Sequence, residues 1–191
     1  MNVNKLFVAG LLVAQSMMAD TLGQKRYKEI FTAVQNCDEK KLNHLLSKNS
    51  TLPIDDIRES DRATLLHIAA ARGNRAMVDI LLDKGADINT QDENGYTPLH
   101  RSVICANEET AQRLVERGAG VNKQDKSSGY TPLHLAVARC NKNLVSILLE
   151  AGADVEIKSQ LGVSPLNGCI DPEIRKLLVR AKEKQAQKPV K

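Results

Sequence analysis

The chain has 191 residues, of which 42% are apolar, 3% are aromatic and none is tryptophan. This length suits one domain, and the apolar fraction is enough for a core of aliphatic side chains. The formal net charge is only +4, with basic and acidic residues interspersed, which gives little support for nucleic-acid binding.

The first 19 residues have the pattern of a secretory signal peptide. Lys5 supplies a positive start, residues 6–14 form an apolar run, and Ala14 and Ala19 offer small side chains near possible cleavage sites. The run is too short to span a bilayer. We therefore predict a cleavable signal peptide over 1–19, a linker over 20–26, a periplasmic location and no stable membrane insertion. The alternative is a buried capping helix.

Two short apolar faces follow, and then a polar connection. The first face contains Ile30, Phe31, Ala33 and Val34, and the second contains Leu42, Leu45 and Leu46. The connection, residues 50–61, includes the adjacent acids Asp55 and Asp56. Two acids can serve metal binding or catalysis, but no other such residue converges on them, so we expect a solvated loop.

Two motifs then recur in phase along the chain. Residues 95–100 read Gly-Tyr-Thr-Pro-Leu-His and recur at 129–134, with weaker copies at 64–67 and 164–167. A second motif, beginning Gly-Ala, starts at Gly85, Gly118 and Gly152. Successive copies are 33 or 34 residues apart. Self-similarity at such a period indicates a repeat architecture.

This pattern resembles the ankyrin repeat, which has a period of about 33 residues and a Thr-Pro-Leu-His-x-Ala core. The resemblance covers roughly 27–181. It implies an all-α solenoid of helix-turn-helix units with short turns or β-hairpin tips, and about five repeats including degenerate caps. The expected units are a cap at 27–59, full repeats at 60–91, 92–124 and 125–157, and a cap at 158–181. Residues 182–191 would form a disordered, Lys-rich tail.

The residues of the repeat at 125–157 have separate structural roles. Pro132 is expected to start the first helix, Asn141 to end it, and Gly152 to end the second helix. The histidines at 67, 100 and 134 begin different repeats, which places them too far apart to bind one metal ion at bond lengths of about 2 Å. The resemblance implies that each histidine instead forms hydrogen bonds with its threonine and between repeats.

The four cysteines, Cys37, Cys105, Cys140 and Cys169, fall in different repeats. A disulfide needs Cα atoms within about 7 Å, and Cys105–Cys140 is the only pair near enough to consider. We predict free, mostly buried thiols. The sequence contains no Cys-x-x-Cys pair and none of the common phosphate-binding, hydrolase or zinc-protease motifs, so we expect no metal, no cofactor and no enzyme activity.

The resemblance implies a concave protein-binding face, lined by the turn tips and the exposed side of each first helix. Tyr96 and Tyr130 occupy the same tip position in adjacent repeats, and tyrosine is common among the dominant residues of interfaces. The alternative is that both rings pack down on the next tip. The candidate binding residues at these positions are Arg58, Asp61, Arg72, Gln91, Glu93, Asn94, Tyr96, Ile104, Cys105, Lys126, Ser127, Tyr130, Arg139, Lys158 and Leu161.

The predicted function is binding another protein. A signal peptide, a compact repeat domain and the lack of catalytic motifs resemble exported bacterial ankyrin proteins of the immunity or self-protection type. That resemblance implies a periplasmic protein, monomeric when unbound, that inhibits a secreted cell-wall peptidase or other hydrolase. The alternatives are a non-inhibitory periplasmic scaffold and an exported effector that binds a host or prey protein.

Overall fold

The computed structural model describes residues 25–26, 28–47, 54–56 and 61–187. The chain divides into two compact units, Met1–Leu52 and Pro53–Lys191. The predicted signal peptide, most of the 50–61 connection and the last residues of the predicted tail lie outside the described residues. Within the described ranges, no helix combines the length and the apolar character that a membrane crossing requires.

In the described part of the first unit, two helices are joined by a tight turn. Helix α1 includes residues 25–26 and 28–35, and helix α2 spans Glu39–Ser47. Cys37 in the turn has a left-handed backbone, with φ of 55°. The buried apolar residues of this unit are Ile30, Ala33, Val34, Leu42 and Leu46. They belong to the two apolar faces predicted from the sequence.

The second unit is a series of helix pairs. A 3₁₀ turn at Ile54–Asp56 comes first. The helices that follow are α3 (Leu65–Arg72), α4 (Arg75–Asp83), α5 (Pro98–Ile104), α6 (Glu108–Glu116), α7 (Pro132–Ala138), α8 (Lys142–Glu150), α9 (Pro165–Gly168) and α10 (Pro172–Ala186).

The helices of this unit stack in two rows. The first helices of the pairs, α3, α5, α7 and α9, contact one another in series, and so do the second helices, α4, α6, α8 and α10. Each first helix also packs on its own second helix. The core between the rows contains fully buried leucines at 65, 66, 81, 99, 114, 133, 144, 148 and 178. This stacking confirms the predicted helical solenoid.

The first helices α5 and α7 start with the same cap. Thr97 and Thr131 have extended backbones, and their hydroxyl oxygens accept the amide protons of His100 and His134. Proline occupies the first turn of both helices, where its lack of an N–H costs no hydrogen bond. The helix starts predicted from the motif, including Pro132, are confirmed.

The turn between the two helices of a repeat differs from the prediction. Asn141 does not end α7. The left-handed turn residue is Cys140, with φ of 52°, and Asn141 caps α8 by accepting the Leu144 amide proton. Asparagine tolerates the left-handed backbone, but here its side chain stabilises the helix more by accepting a hydrogen bond from an otherwise unpaired amide at the start of α8. Gly152 has φ of 85° just after α8, as predicted.

The tips between repeats are tight turns, and the described residues include no extended strand. In one tip, Asp92 donates its amide proton to Tyr96 O at 2.9 Å, and Gly95 donates to Asp92 O at 3.0 Å. A Cβ atom on Gly95 would lie 2.5 Å from the amide nitrogen of Lys126 in the next tip. Glycine here therefore allows successive tips to approach closely.

Helix α10 extends past Ala181, the predicted end of the repeat domain, to Ala186. Part of the segment expected to be a disordered tail is thus helical. Contacts with the preceding repeat hold this extra turn: Gln185 Nε2 donates to Ala153 O at 2.8 Å, and Lys182 forms an ion pair with Glu156. The segment is rich in polar residues, and its local composition carries no signal of partners as far along the chain as Ala153 and Glu156.

The four cysteines are free, but the prediction that most are buried is wrong. Cys169 alone is buried, and Cys37, Cys105 and Cys140 are exposed. Cys37 and Cys140 occupy left-handed turn positions, and Cys105 immediately follows α5. A turn between two helices lies at the surface, so these thiols face solvent despite their apolar character.

Candidate protein-binding face

The histidines connect each first helix to the tip that follows it. The Thr97 amide donates to His100 Nδ1 at 3.1 Å, so that Nε2 carries the proton and donates to Tyr130 O, also at 3.1 Å. His67 and His134 repeat this pattern and reach Tyr96 O and Val163 O. The hydrogen bonds implied by the family resemblance are thus confirmed.

Burial favours the neutral form of these three imidazoles. It lowers the pKa of His67, His100 and His134 below the ordinary value, although the hydrogen bond to the next tip opposes this effect. No group of three His, Cys, Asp or Glu side chains in the described part of the chain is arranged to hold a metal ion.

Tyr96 and Tyr130 lie against the histidines of their own repeats. The Tyr130 and His134 rings are stacked, with centroids 5.3 Å apart and an interplanar angle of 13°. The Tyr96 and His100 rings are tilted by 44°, with centroids 5.7 Å apart. Both tyrosines are half-buried. The rings are therefore held in place by ring contacts within their own repeat, while part of each side chain stays open to solvent.

A charged cluster at the first full tip was not anticipated. Arg101 Nη2 lies 2.8 Å from Asp61 Oδ2 and also binds the carboxylate of Asp92, whose side chain is fully buried. The Arg101 guanidinium lies 5.7 Å from the centroid of the Tyr96 ring, within cation–π range. Asp61 and Tyr96, both predicted binding residues, are thus joined by an arginine that the prediction omitted.

The electrostatics of this cluster favour the charged forms. Burial opposes ionisation of Asp61, but hydrogen bonds from the Ala63 amide and Arg101 hold its pKa below the ordinary value. Burial likewise opposes the charge on Arg101, but Asp92 and Asp61 raise its pKa. The sequence did carry a signal for this cluster, because Arg101 is charged whereas the equivalent residues of the adjacent repeats, Ile68 and Leu135, are apolar.

Backbone hydrogen bonds align successive tips into a ladder. Glu93 N donates to Asp61 O, Lys126 N to Asn94 O, and Gln160 N to Ser128 O, each at 2.9 Å. The side chains of Glu93, Asn94, Lys126 and Ser127 are exposed along this ladder. We call the surface formed by residues 91–96, 124–130 and 158–163, with the exposed sides of α3, α5 and α7, the tip face.

Some predicted binding residues have structural roles at the tip face. Gln91 Nε2 donates to Gly95 O at 2.8 Å and to Gln124 O at 3.1 Å, so this side chain joins adjacent tips. The amide and hydroxyl of Ser127 both donate to Asp125 Oδ1. Gln91 and Ser127 are consequently less available to a partner than their positions suggested.

The remaining predicted residues lie on the helix ends and the last tip. Arg72, Arg139 and Cys105 are exposed at the carboxyl ends of α3, α7 and α5, and Ile104 is half-buried. Lys158 and Leu161 are exposed in the last tip, with Leu161 82% accessible. Arg58 lies outside the described residues.

An apolar cleft of about 140 Å³ lies behind the last tip. It brings together two predicted binding residues from neighbouring repeats, Tyr130 and Leu161. The other lining residues are His134, Val137, Ala138, Val163, Ser164, Pro165 and Gly168. Among the described residues, the tip face thus combines half-exposed aromatic rings, exposed cations and an apolar cleft, which are features common in protein-binding surfaces.

Comparison with known proteins agrees with the repeat architecture seen in the structure. The family profile described as "Ankyrin repeats (3 copies)" matches residues 30–125, 66–159 and 113–188. The chain is 40% identical over 62 residues to the ADP-ribosylation factor GTPase-activating protein AGD2 of Arabidopsis thaliana, covering 32% of this chain and 8% of that protein. It is 38% identical over 64 residues to protein phosphatase 1 regulatory subunit 12A of Mus musculus, covering 33% and 6%.

Bacterial proteins show similar matches. A putative ankyrin repeat protein of Rickettsia bellii is 42% identical over 67 residues, covering 35% of this chain and 27% of that protein. In each of these relatives the chain matches less than a third of the other protein's length. The likeness therefore concerns the repeats, and not the activity of any whole relative.

Proposed function

The chain belongs to the ankyrin-repeat family, a protein-interaction fold, and we propose that it binds a partner enzyme through its tip face and inhibits it. The observation that carries the proposal is the pair of half-exposed rings, Tyr96 and Tyr130, each held against a buried histidine. Rigid aromatic side chains lose little entropy on binding and commonly dominate interface energetics.

We propose an exported hydrolase, such as a cell-wall peptidase, as the partner. The signal-peptide pattern of the first 19 residues supports a periplasmic location. The exposed arginines Arg72 and Arg139 suit a partner with acidic groups around its active site. One relative is named as a regulatory subunit of a phosphatase, which is consistent with an ankyrin-repeat protein that regulates an enzyme.

The compartment can be tested separately from binding. Mass spectrometry of the mature protein should show an amino terminus between Met17 and Thr21. An intact Met1 in a cytoplasmic fraction would contradict export, and with it the choice of an exported hydrolase. The proposal that the tip face binds a protein would be unaffected by that result.

The binding test compares two folded variants. A hydrolase captured from periplasmic extract is titrated with the protein, and one equivalent should abolish its activity. Tyr96→Ala and Tyr130→Ala should each weaken binding by about 2 kcal/mol, which is roughly 30-fold. Glu150→Gln on α8, exposed and outside the tip face, is the matched control and should inhibit fully.

The outcome also separates the alternatives. A captured enzyme that stays active in a stoichiometric complex would indicate a periplasmic scaffold instead of an inhibitor. Partners found only in host or prey extracts would indicate an exported effector. Full binding by a folded Tyr96→Ala/Tyr130→Ala double variant would exclude the two tyrosine rings as the residues that dominate the interface.

A further inference from the structure

We propose that the last tip, residues 158–163, and the cleft behind it bind an extended polypeptide segment of the partner, in which an apolar side chain is flanked by acidic residues. This inference rests on the proposed function, because the cleft is part of the tip face. It specifies how that face recognises its partner.

The first argument is the carbonyl at the last described position of the backbone ladder. The residue three positions before each capping Thr or Ser offers its carbonyl to the next tip, as Asp61, Asn94 and Ser128 do. Leu161 has the equivalent place before Ser164, and none of the described residues donates a hydrogen bond to its carbonyl oxygen. An extended segment with a free amide proton can continue the ladder at this point.

The second argument is a change of side chain at the position that bridges tips. Gln91 and Gln124 each donate from Nε2 to a carbonyl of the following tip. Lys158 has this position in the last tip, is exposed, and forms no ion pair with a described residue. Its ammonium group can reach outward as the glutamines do, but it binds a carboxylate better than a carbonyl.

The third argument is the cleft itself. Its walls include Leu161, which is 82% accessible, and Val163, which is 41% accessible. Gly168 lines the same cleft, and a Cβ atom on it would lie 3.1 Å from Val163 Cγ1. Val163 therefore packs directly on the backbone of Gly168 as one wall of the cleft, and the open volume of about 140 Å³ can accept an apolar side chain of a partner.

Charge selects the kind of segment. Arg139 directly follows Ala138 of the cleft and is exposed, and Lys158 belongs to the tip. The nearby acids are already engaged, because Asp171 caps α10, Glu156 binds Lys182 and Glu173 binds Lys176. A second copy of this chain would bring the same cations together, so an acidic segment fits better.

The test uses the purified chain and a synthetic peptide with blocked ends, Glu-Asp-Leu-Asp-Glu, followed by ¹⁵N NMR titration. The amide signals of Gly162, Val163 and Gly168 should shift with peptide concentration. Leu161→Asn removes one wall of the cleft and should weaken binding about tenfold or more. Ile170→Asn is the matched control, because Ile170 is 88% accessible and does not line the cleft.

Control peptides test each part of the proposal. Replacing the leucine by asparagine, or the acids by lysine, should remove the shifts at the last tip. Absence of shifts with the acidic peptide, or equal binding by Leu161→Asn and Ile170→Asn, would overturn the inference. Concentration-dependent shifts at these amides without peptide would overturn it in favour of a second copy.

These results are independent of the hydrolase assay. A chain that inhibits a captured hydrolase but ignores the peptide would retain the proposed function and lose only this recognition mode. A chain that binds the peptide at the last tip but inhibits no enzyme would lose the inhibitor proposal and keep the site.

Discussion

Replacing His100 with alanine should destabilise the protein by about 3 kcal/mol. The imidazole is fully buried and connects α5 to the following tip. Its loss removes the acceptor of the Thr97 amide proton and the donor to Tyr130 O. Tyr130 O keeps the hydrogen bond from the Asp125 amide, so only the buried Thr97 amide loses its partner, at a cost of about 1–3 kcal/mol. The vacated ring volume adds to this cost.

His134→Ala is the informative comparison. His134 makes the same bonds, but its acceptor, Val163 O, belongs to the last tip, where the Val163 residue is 41% accessible. Water can replace the lost donor there, so we expect a cost of about 1.5 kcal/mol. The structure thus predicts that His100→Ala destabilises the protein more than His134→Ala does.

Urea unfolding followed by circular dichroism gives both values from the transition midpoints at constant m. A second probe is needed, because repeat proteins lose cooperativity when one interface is weakened. A cost below about 1 kcal/mol for His100→Ala, or a larger cost for His134→Ala, would refute the idea that this hydrogen bond joins the repeats.

Three further predictions concern the histidine pKa values, the cysteines and Ser159. Burial lowers the pKa of His67, His100 and His134, so the unfolded chain binds protons at a higher pH than the folded chain does. The free energy of unfolding should therefore fall as pH drops below about 6.5, by at most about 1.4 kcal/mol per pH unit per histidine. Urea titrations at several pH values measure this slope. A maleimide should label Cys37, Cys105 and Cys140 in the native protein but Cys169 only in urea, because Cys169 is buried and burial raises its thiol pKa; mass spectrometry counts the adducts. Ser159→Asp should stabilise the last tip by about 1 kcal/mol in thermal unfolding, whereas Ser159→Ala should be nearly neutral, because the buried Ser159 Oγ has no hydrogen-bond partner among the described residues.

The reasoning behind the serine replacement comes from the other tips. Asp92 accepts the Tyr96 amide proton and Asp125 accepts the Tyr130 amide proton, each at 2.9 Å. Ser159 has the same place in the last tip, but its side chain is too short to reach the Val163 amide as a carboxylate does. Equal stability of Ser159→Asp and Ser159→Ala would show that a carboxylate accepting the Val163 amide proton adds no stability at this tip.

The parts of the structure that the sequence predicted depend on contacts near in the chain. The Thr-Pro-Leu-His motif contains its own cap, since Thr97 and His100 are three residues apart and hydrogen-bond each other. The same spacing recurs in each repeat, so one local interaction explains the helix starts. The period then determines that each histidine meets the next tip, and the fold follows from stacking.

The parts that the sequence did not reveal depend on partners far along the chain. Arg101 binds Asp61, 40 residues away, and no local pattern relates the two. Gln185 and Ala153 similarly extend α10 beyond its expected end. The turn at Cys140 was misassigned for a different reason, because two adjacent residues could adopt the left-handed backbone and the choice depended on which one capped α8.

The stacking that builds the fold also divides the tip face into two kinds of binding surface. In an interior tip, a backbone carbonyl and a glutamine side chain form hydrogen bonds with the next tip. Such a tip can therefore offer a partner only the faces of its rings and its exposed charged side chains. The last tip has the same geometry but no following repeat among the described residues to use these groups. Leu161 O and Lys158 therefore remain available there, beside the cleft. A partner that engages Tyr96 and Tyr130 through side chains can engage the last tip through its backbone, and the length of the ladder fixes the distance between these two contacts.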